Sequence, residues 1–196
     1  MNKITQIIKG KINLSLICLM LVSSIGFVGC DDDDDDDAPI APQSTQTVSD
    51  RDFVVRAGHV NRAEVELGQL AQTKGGSDTV RNYGTLMVTE HTKAQNDLIT
   101  LAANKNITLP TALDSANLAL KTQLMAASGA QFDSLYMKNM VTSHQMSVNL
   151  FQNEINQGQD PDIKNYASIY LPHIQMHLSM ADSIVKKRPL PVVTHQ

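Results

Sequence analysis

The chain of 196 residues predicts an all-α fold, a four-helix bundle. Three observations predict it. Apolar residues recur in alternating steps of four and three over four long stretches, the spacing of one helical face. The composition has no Trp and few other aromatics but is rich in Ala, Leu, Met, Gln and Asn, which favours helices over strands. Glycine, proline and capping residues interrupt the pattern at a short, a long and a short connection, which makes two antiparallel hairpins joined by a crossover.

The first helix starts at Ser49 or Asp50, either of which can cap it, and runs to about Thr73. Its stripe is Phe53, Ala57, Val60, Leu67 and Ala71, and Glu64 fills the missing step. Lys74-Gly75-Gly76-Ser77-Asp78 then ends this helix and caps the next. The second helix, about Asp78 to Asn104, carries Val80, Gly84, Met87, Ala94, Leu98 and Leu101, with His91 in the gap. A longer connection, KNITLPT, precedes ALDSANLALKTQLMAAS, itself readable as a shorter helix within the crossover. The third long helix, about Ala130 to Gln157, carries Met137, Met140, Val141, Val148, Phe151 and Ile155, and His144 completes that face. Gly158 stops it, and Asp160-Pro161 opens the last helix with a cap and a proline at the first helical position. There the stripe is Ile163, Ala167, Tyr170, Ile174, Ala181 and Ile184, with His177 in the gap. Each long helix thus brings one ionisable side chain into an apolar seam.

The segments outside the bundle read differently. Residues 1–29 hold Lys3, Lys9 and Lys11 and then an apolar run ending at Gly29-Cys30, a secretory signal that resembles the bacterial lipoprotein signal, cut before a lipid-modified Cys30. Phe27 departs from the usual Leu of that signal, and the competing reading is an uncleaved anchor, for which the run is almost long enough. Residues 30–48 form an acidic tether, Asp31 to Asp37 followed by polar chain with almost no apolar content. The acidic run is similar to surface-export signals of some envelope lipoproteins, and is equally readable as a spacer. Residues 49–188 are one domain of ordinary size, and 189–196 are a disordered tail holding His195. The expected location is the bacterial cell envelope, outer membrane included, with the membrane as partner through the lipid.

Composition excludes several function classes. Without Lys3, Lys9, Lys11 and the run Asp31 to Asp37, the domain holds 13 basic and 13 acidic side chains and is formally neutral, so nucleic acid is not an expected partner. Cys18 lies inside the signal and Cys30 is the lipidation site, so the domain has no thiol for a disulfide, a zinc-thiolate site or a nucleophile. No Gly-rich phosphate loop and no Ser-His-Asp arrangement appears, and an enzyme is not indicated.

At a rise of about 1.5 Å per residue, Glu64 and His91 come within about one turn of each other across the first hairpin. His144 and His177 do so across the second, and His173 fits equally well. The register of one hairpin against the other is not fixed by any local pattern. The metal candidates are therefore Glu64, His91, His144 and His177, with His173 in reserve. Di-iron carboxylate bundles place a Glu three residues before each ligating His. Here those positions hold Val88, Val141 and Ile174, so a ferroxidase or oxygenase of that type is excluded. Imidazoles with one carboxylate suit a single Zn, Fe, Mn or Cu ion. The pairs Met87/His91 and Met140/His144, four residues apart, offer soft thioethers for Cu(I) as an alternative. The competing reading keeps the histidines as a hydrogen-bond network in a structural or stress-related envelope protein, with Met filling core gaps.

FVVRAGHVNRAEVELGQLA, the MVTEH segment, GAQFDSLYMKNMVTSHQMSVNLF and LPHIQMHLSMAD resemble, in that order, the motifs of the domain-of-unknown-function 4142 family, described as ferritin-like predicted outer-membrane proteins. The resemblance covers about Asp52 to Asp182. It implies a ferritin-like fold and that Glu64, His91, Asp133, His144 and His177 belong to the family pattern; it implies no reaction. Asp133 stands about 16 Å along the axis from His144, so a cap or a salt bridge is expected of it rather than a shared ion.

Overall fold

A computed structural model describes residues 49–187. The signal segment, Cys30, the acidic tether and the tail with His195 lie outside the described residues. The described chain forms α1 (Asp50–Lys74), α2 (Asp78–Asn104), a short α3 (Ser115–Ala126), α4 (Gly129–Gln157) and α5 (Pro161–Val185). These are the expected helices within a residue or so at the long-helix ends. The short helix starts later than its apolar pattern suggests because the Asp114 side chain accepts from the Asn117 amide and fixes the first turn there. Ser49, Ser77 and Asp160 cap α1, α2 and α5 in the same way, and Pro161 takes the first position of α5. None of the described helices is long and apolar enough to cross a membrane.

α1 packs against α2 and α4 against α5 as two tight hairpins, while the α1/α4 and α2/α5 seams between them are looser. Glycine sets the closeness of the first hairpin. A Cβ placed on Gly84 would sit 2.7 Å from the Ala71 Cβ and 2.9 Å from the Gly68 carbonyl oxygen, so the two backbones cross there without room for a side chain. The hairpins are tied end to end by two matching devices. Asp133 on α4 accepts from the amides of Gly76 and Ser77 in the α1–α2 turn, at 2.7 and 3.0 Å. Asp50 on α1 accepts from Gln159 and Asp160 in the α4–α5 turn, at 2.9 and 2.8 Å. Asp133 therefore does what its distance from His144 predicted: it satisfies turn amides.

The core has two apolar halves. One holds Phe53, Leu98, Phe151, Ile163, Tyr166 and Ile174. The other holds Leu67, Val80, Tyr83, Met87, Phe132 and Met140. On every long helix the residue between the halves is polar and buried: Asn61 and Glu64 on α1, His91 on α2, His144 and Ser147 on α4, His177 on α5. A polar belt therefore divides the bundle at one level. α5 continues as a single helix through Pro172, which stands at an exposed position.

Candidate metal centre

The belt brings three of the sequence candidates together. His91, His144 and His177 are buried, and each offers one nitrogen such that all three lie within 4.8 Å of one another. Their ring centroids form a nearly equilateral triangle of 5.8, 5.4 and 5.4 Å. Register between the hairpins, which no local pattern fixed, is what closes this triangle.

Each ring is oriented by a separate partner, and the partners determine the tautomers. Tyr166 donates to the Ala94 carbonyl at 3.2 Å and so accepts from the Asn61 amide nitrogen at 3.1 Å. That turns the Asn61 oxygen toward His91 Nδ1, 3.0 Å away, and an oxygen only accepts, so Nδ1 carries the proton. His144 Nδ1 donates to the Met140 carbonyl at 2.9 Å. His177 Nε2 donates to the Glu90 carboxylate at 3.1 Å. The other nitrogen of each ring, Nε2 of His91, Nε2 of His144 and Nδ1 of His177, is buried with no hydrogen-bond partner. Three lone pairs are therefore left in the belt with no proton among them to share.

The electrostatics agree. Burial holds the His91 imidazole well below its ordinary value, and the neighbouring His177 and His144 push the same way. His177 is also lowered by burial, against the opposing pull of the Glu90 hydrogen bond. Both rings favour the neutral form that a metal ion requires. For bonds of about 2.0–2.1 Å, tetrahedral nitrogens stand roughly 3.4 Å apart, so small ring rotations suffice to close the set on one ion. Beside the belt is a cavity of about 10 Å3 lined by Glu90, His91, His173 and His177, room for about one water-sized guest and none for an organic substrate.

Glu64 lies next to this triangle but outside it. It is buried, its Oε1 accepts from the Ser143 hydroxyl at 2.7 Å and stands 3.9 Å from His144 Nδ1, and its Oε2 has no partner. Its charge also adds to the burial that raises the Tyr83 and Tyr136 hydroxyls well above their usual range. His173 is at the surface, 50% exposed, with Nδ1 2.9 Å from Glu90 Oε2. Glu90, one residue before His91, reaches neither solvent alone nor its own neighbour but two histidines of α5. Hydrogen bonding from His177 is the main cause that lowers its carboxyl to about 2. His59 is half-buried with Nδ1 unpartnered in a groove beside α3. Asn61 and Tyr166, which orient His91, were not singled out by sequence.

The family model described as a domain of unknown function, DUF4142, matches residues 36–184. The chain belongs to the DUF4142 family. None of the curated proteins matches it. Among solved structures it is similar to CopM in its Cu(II)-bound form, with a TM-score of 0.61 at 12% identity over 71% of this chain and 97% of that one. CopM in its Ag-bound form gives 0.59 at 14% identity, over 71% and 96%. A DUF305 fragment from Deinococcus radiodurans gives 0.63 at 10% identity, over 70% and 95%. At these identities the likeness is one of fold, and it places this DUF4142 domain among helical bundles.

Proposed function

We propose that the domain binds a single transition-metal ion through His91, His144 and His177, and that it holds or buffers the ion rather than catalysing a reaction. The observation that carries this reading is the trio of partnerless nitrogens. Every orienting partner here is an acceptor, so each ring spends its proton on it and leaves its other nitrogen buried without a partner. Three buried lone pairs without a donor ask for a Lewis acid.

An all-imidazole set favours Cu or Zn over the carboxylate-seeking Mn. Met140, whose carbonyl orients His144, and Met87, one turn before His91, are both fully buried in the adjoining apolar half, which suits a copper site. The copper- and silver-bound bundles of similar fold support that choice. Glu64 stands beside the site, its Oε1 3.9 Å from His144 Nδ1. The lipoprotein-like signal ending at Cys30 and the tether after it support a lipid-anchored place in the bacterial envelope.

Titration of the full chain, without a His tag, with Cu(II), Zn(II), Mn(II) and Fe(II) tests this. The expected result is one tightly held ion per chain near neutral pH, released on acidification and absent when His91, His144 and His177 are all changed to Ala. Undiminished binding by that triple variant would refute it.

A further inference from the structure

The buried triangle needs a way in, and the α2/α5 seam supplies one. It is the looser junction between hairpins, and the small cavity against the belt opens along it. Glu90 is the single carboxylate among the residues lining that cavity. One oxygen, Glu90 Oε2, stands 2.9 Å from Nδ1 of surface His173 and 3.1 Å from Nε2 of buried His177. His177 is 1% exposed and carries one of the three buried, partnerless nitrogens. The order from solvent inward is thus an exposed imidazole, a half-buried carboxylate and a buried ligand, each touching the next. Further along the seam, Lys93 is bound by Asp97 and by the Tyr170 hydroxyl, at 2.9 and 3.1 Å, so its ammonium is held by an acid. On the opposite α1/α4 seam the Ser143 hydroxyl is bonded to Glu64.

We propose that Glu90 and His173 form a loading station, a mixed oxygen–nitrogen pair that captures a divalent transition-metal ion at the surface and passes it to the three buried histidines. An ion leaving water exchanges its hydration shell in steps, and Glu90 and His173 offer its first protein ligands at a cavity whose other lining residues include His91 and His177. The pair stands one turn apart from the final site on α5, so the ion leaves His173 behind when it reaches the triangle. This inference rests on the metal-centre reading above.

A station that the ion vacates changes uptake and release by the same factor and leaves the equilibrium unchanged. The experiment is stopped-flow mixing of the full chain with Co(II) and Cu(II), followed by chelator-driven release, for wild type, H173A and E90Q. H173A removes an exposed ring and leaves the fold alone, while E90Q keeps an oxygen to accept from His177. The expected result for H173A is uptake and release both slowed about tenfold or more, with stoichiometry and Kd unchanged. E90Q is expected to slow uptake at least as much. S168A, which removes an exposed hydroxyl of α5 bonded only to the Lys164 carbonyl, is expected to match wild type. Wild-type rates in both H173A and E90Q would overturn the station while leaving the metal centre intact. A weaker Kd in H173A with unchanged uptake would overturn it too, by making His173 a ligand of the final site. No binding by wild type would overturn the metal centre itself.

Discussion

Acidifying the metal-free chain from about pH 6.5 to pH 5 tests whether the belt histidines are held neutral by the fold. His91 and His177 have folded-state values below the 6.5 of an ordinary imidazole. Above that pH both rings are neutral in folded and unfolded chains and contribute no pH dependence. Below it the unfolded chain takes up protons that the folded chain refuses, so stability falls as pH falls, by up to about 1.4 kcal/mol per pH unit for each ring. Glu154 acts in the opposite direction. Burial first, and then the nearby Asp50 charge, raise its carboxyl from 4.5 to about 7, so between these values the folded chain holds a proton that the unfolded chain has lost. Its stabilising proton is present below that window and lost as pH rises through about 7.

Each ring keeps its slope only down to its own folded value, and the acid opposes both. E154Q, where the opposing proton is gone, therefore loses more stability than wild type over that range, by up to about 2 kcal/mol. At about 4 °C per kcal/mol for a domain of this size, the Tm of E154Q should fall further than that of wild type, by up to about 8 °C. Thermal melts in chelator, followed by circular dichroism at a series of pH values, measure both. Parallel curves for the two proteins would refute the opposing signs, and flat curves for both would refute the neutral histidines.

Other outcomes follow from single contacts. Gly84→Ala puts a methyl 2.7 Å from the Ala71 Cβ and should lower Tm through a loss of about 1–3 kcal/mol, read by the same melts. Tyr166→Phe removes the hydroxyl that orients Asn61 toward His91; competition against a chromogenic chelator should show metal affinity reduced about tenfold or more, with one ion still bound.

The helices were legible because burial of one face imposes a period, and the caps were legible because Ser49, Ser77 and Asp160 answer to orphan amides a few residues away. The same logic found His91, His144 and His177, each the polar gap in an otherwise apolar stripe. It failed where the partner lies on another hairpin. Glu90 leaves α2 about 100° round from His91 and has no local reason to be anything but solvated; it matters because α5 packs alongside. His173 and His177 share one face of α5, and periodicity cannot separate them, whereas the bundle buries the second and leaves the first at the surface. Asn61 did carry a signal, standing four residues after Ala57 and three before Glu64, but a neutral amide in a stripe is easily passed over in favour of the adjacent Val60.

The three histidines differ in what their removal leaves behind, and that difference separates a belt kept for metal from one kept for stability. His144 donates only to the carbonyl of Met140 on its own helix, which the helix already satisfies, so His144→Leu orphans nothing across the bundle and adds apolar contact beside Met140. His91→Leu strands the Asn61 oxygen in the core, and His177→Leu leaves the inner side of the Glu90 carboxylate without its donor. Each such loss costs about 1–3 kcal/mol. In the metal-free state the expected order is therefore His144→Leu at or above wild type, with His91→Leu and His177→Leu both below it. With saturating metal the order changes, because bound ion stabilises only the chain that retains all three ligands, and wild type should rise above every variant. A belt that serves stability alone would instead leave wild type unmoved by metal and His144→Leu on top under both conditions.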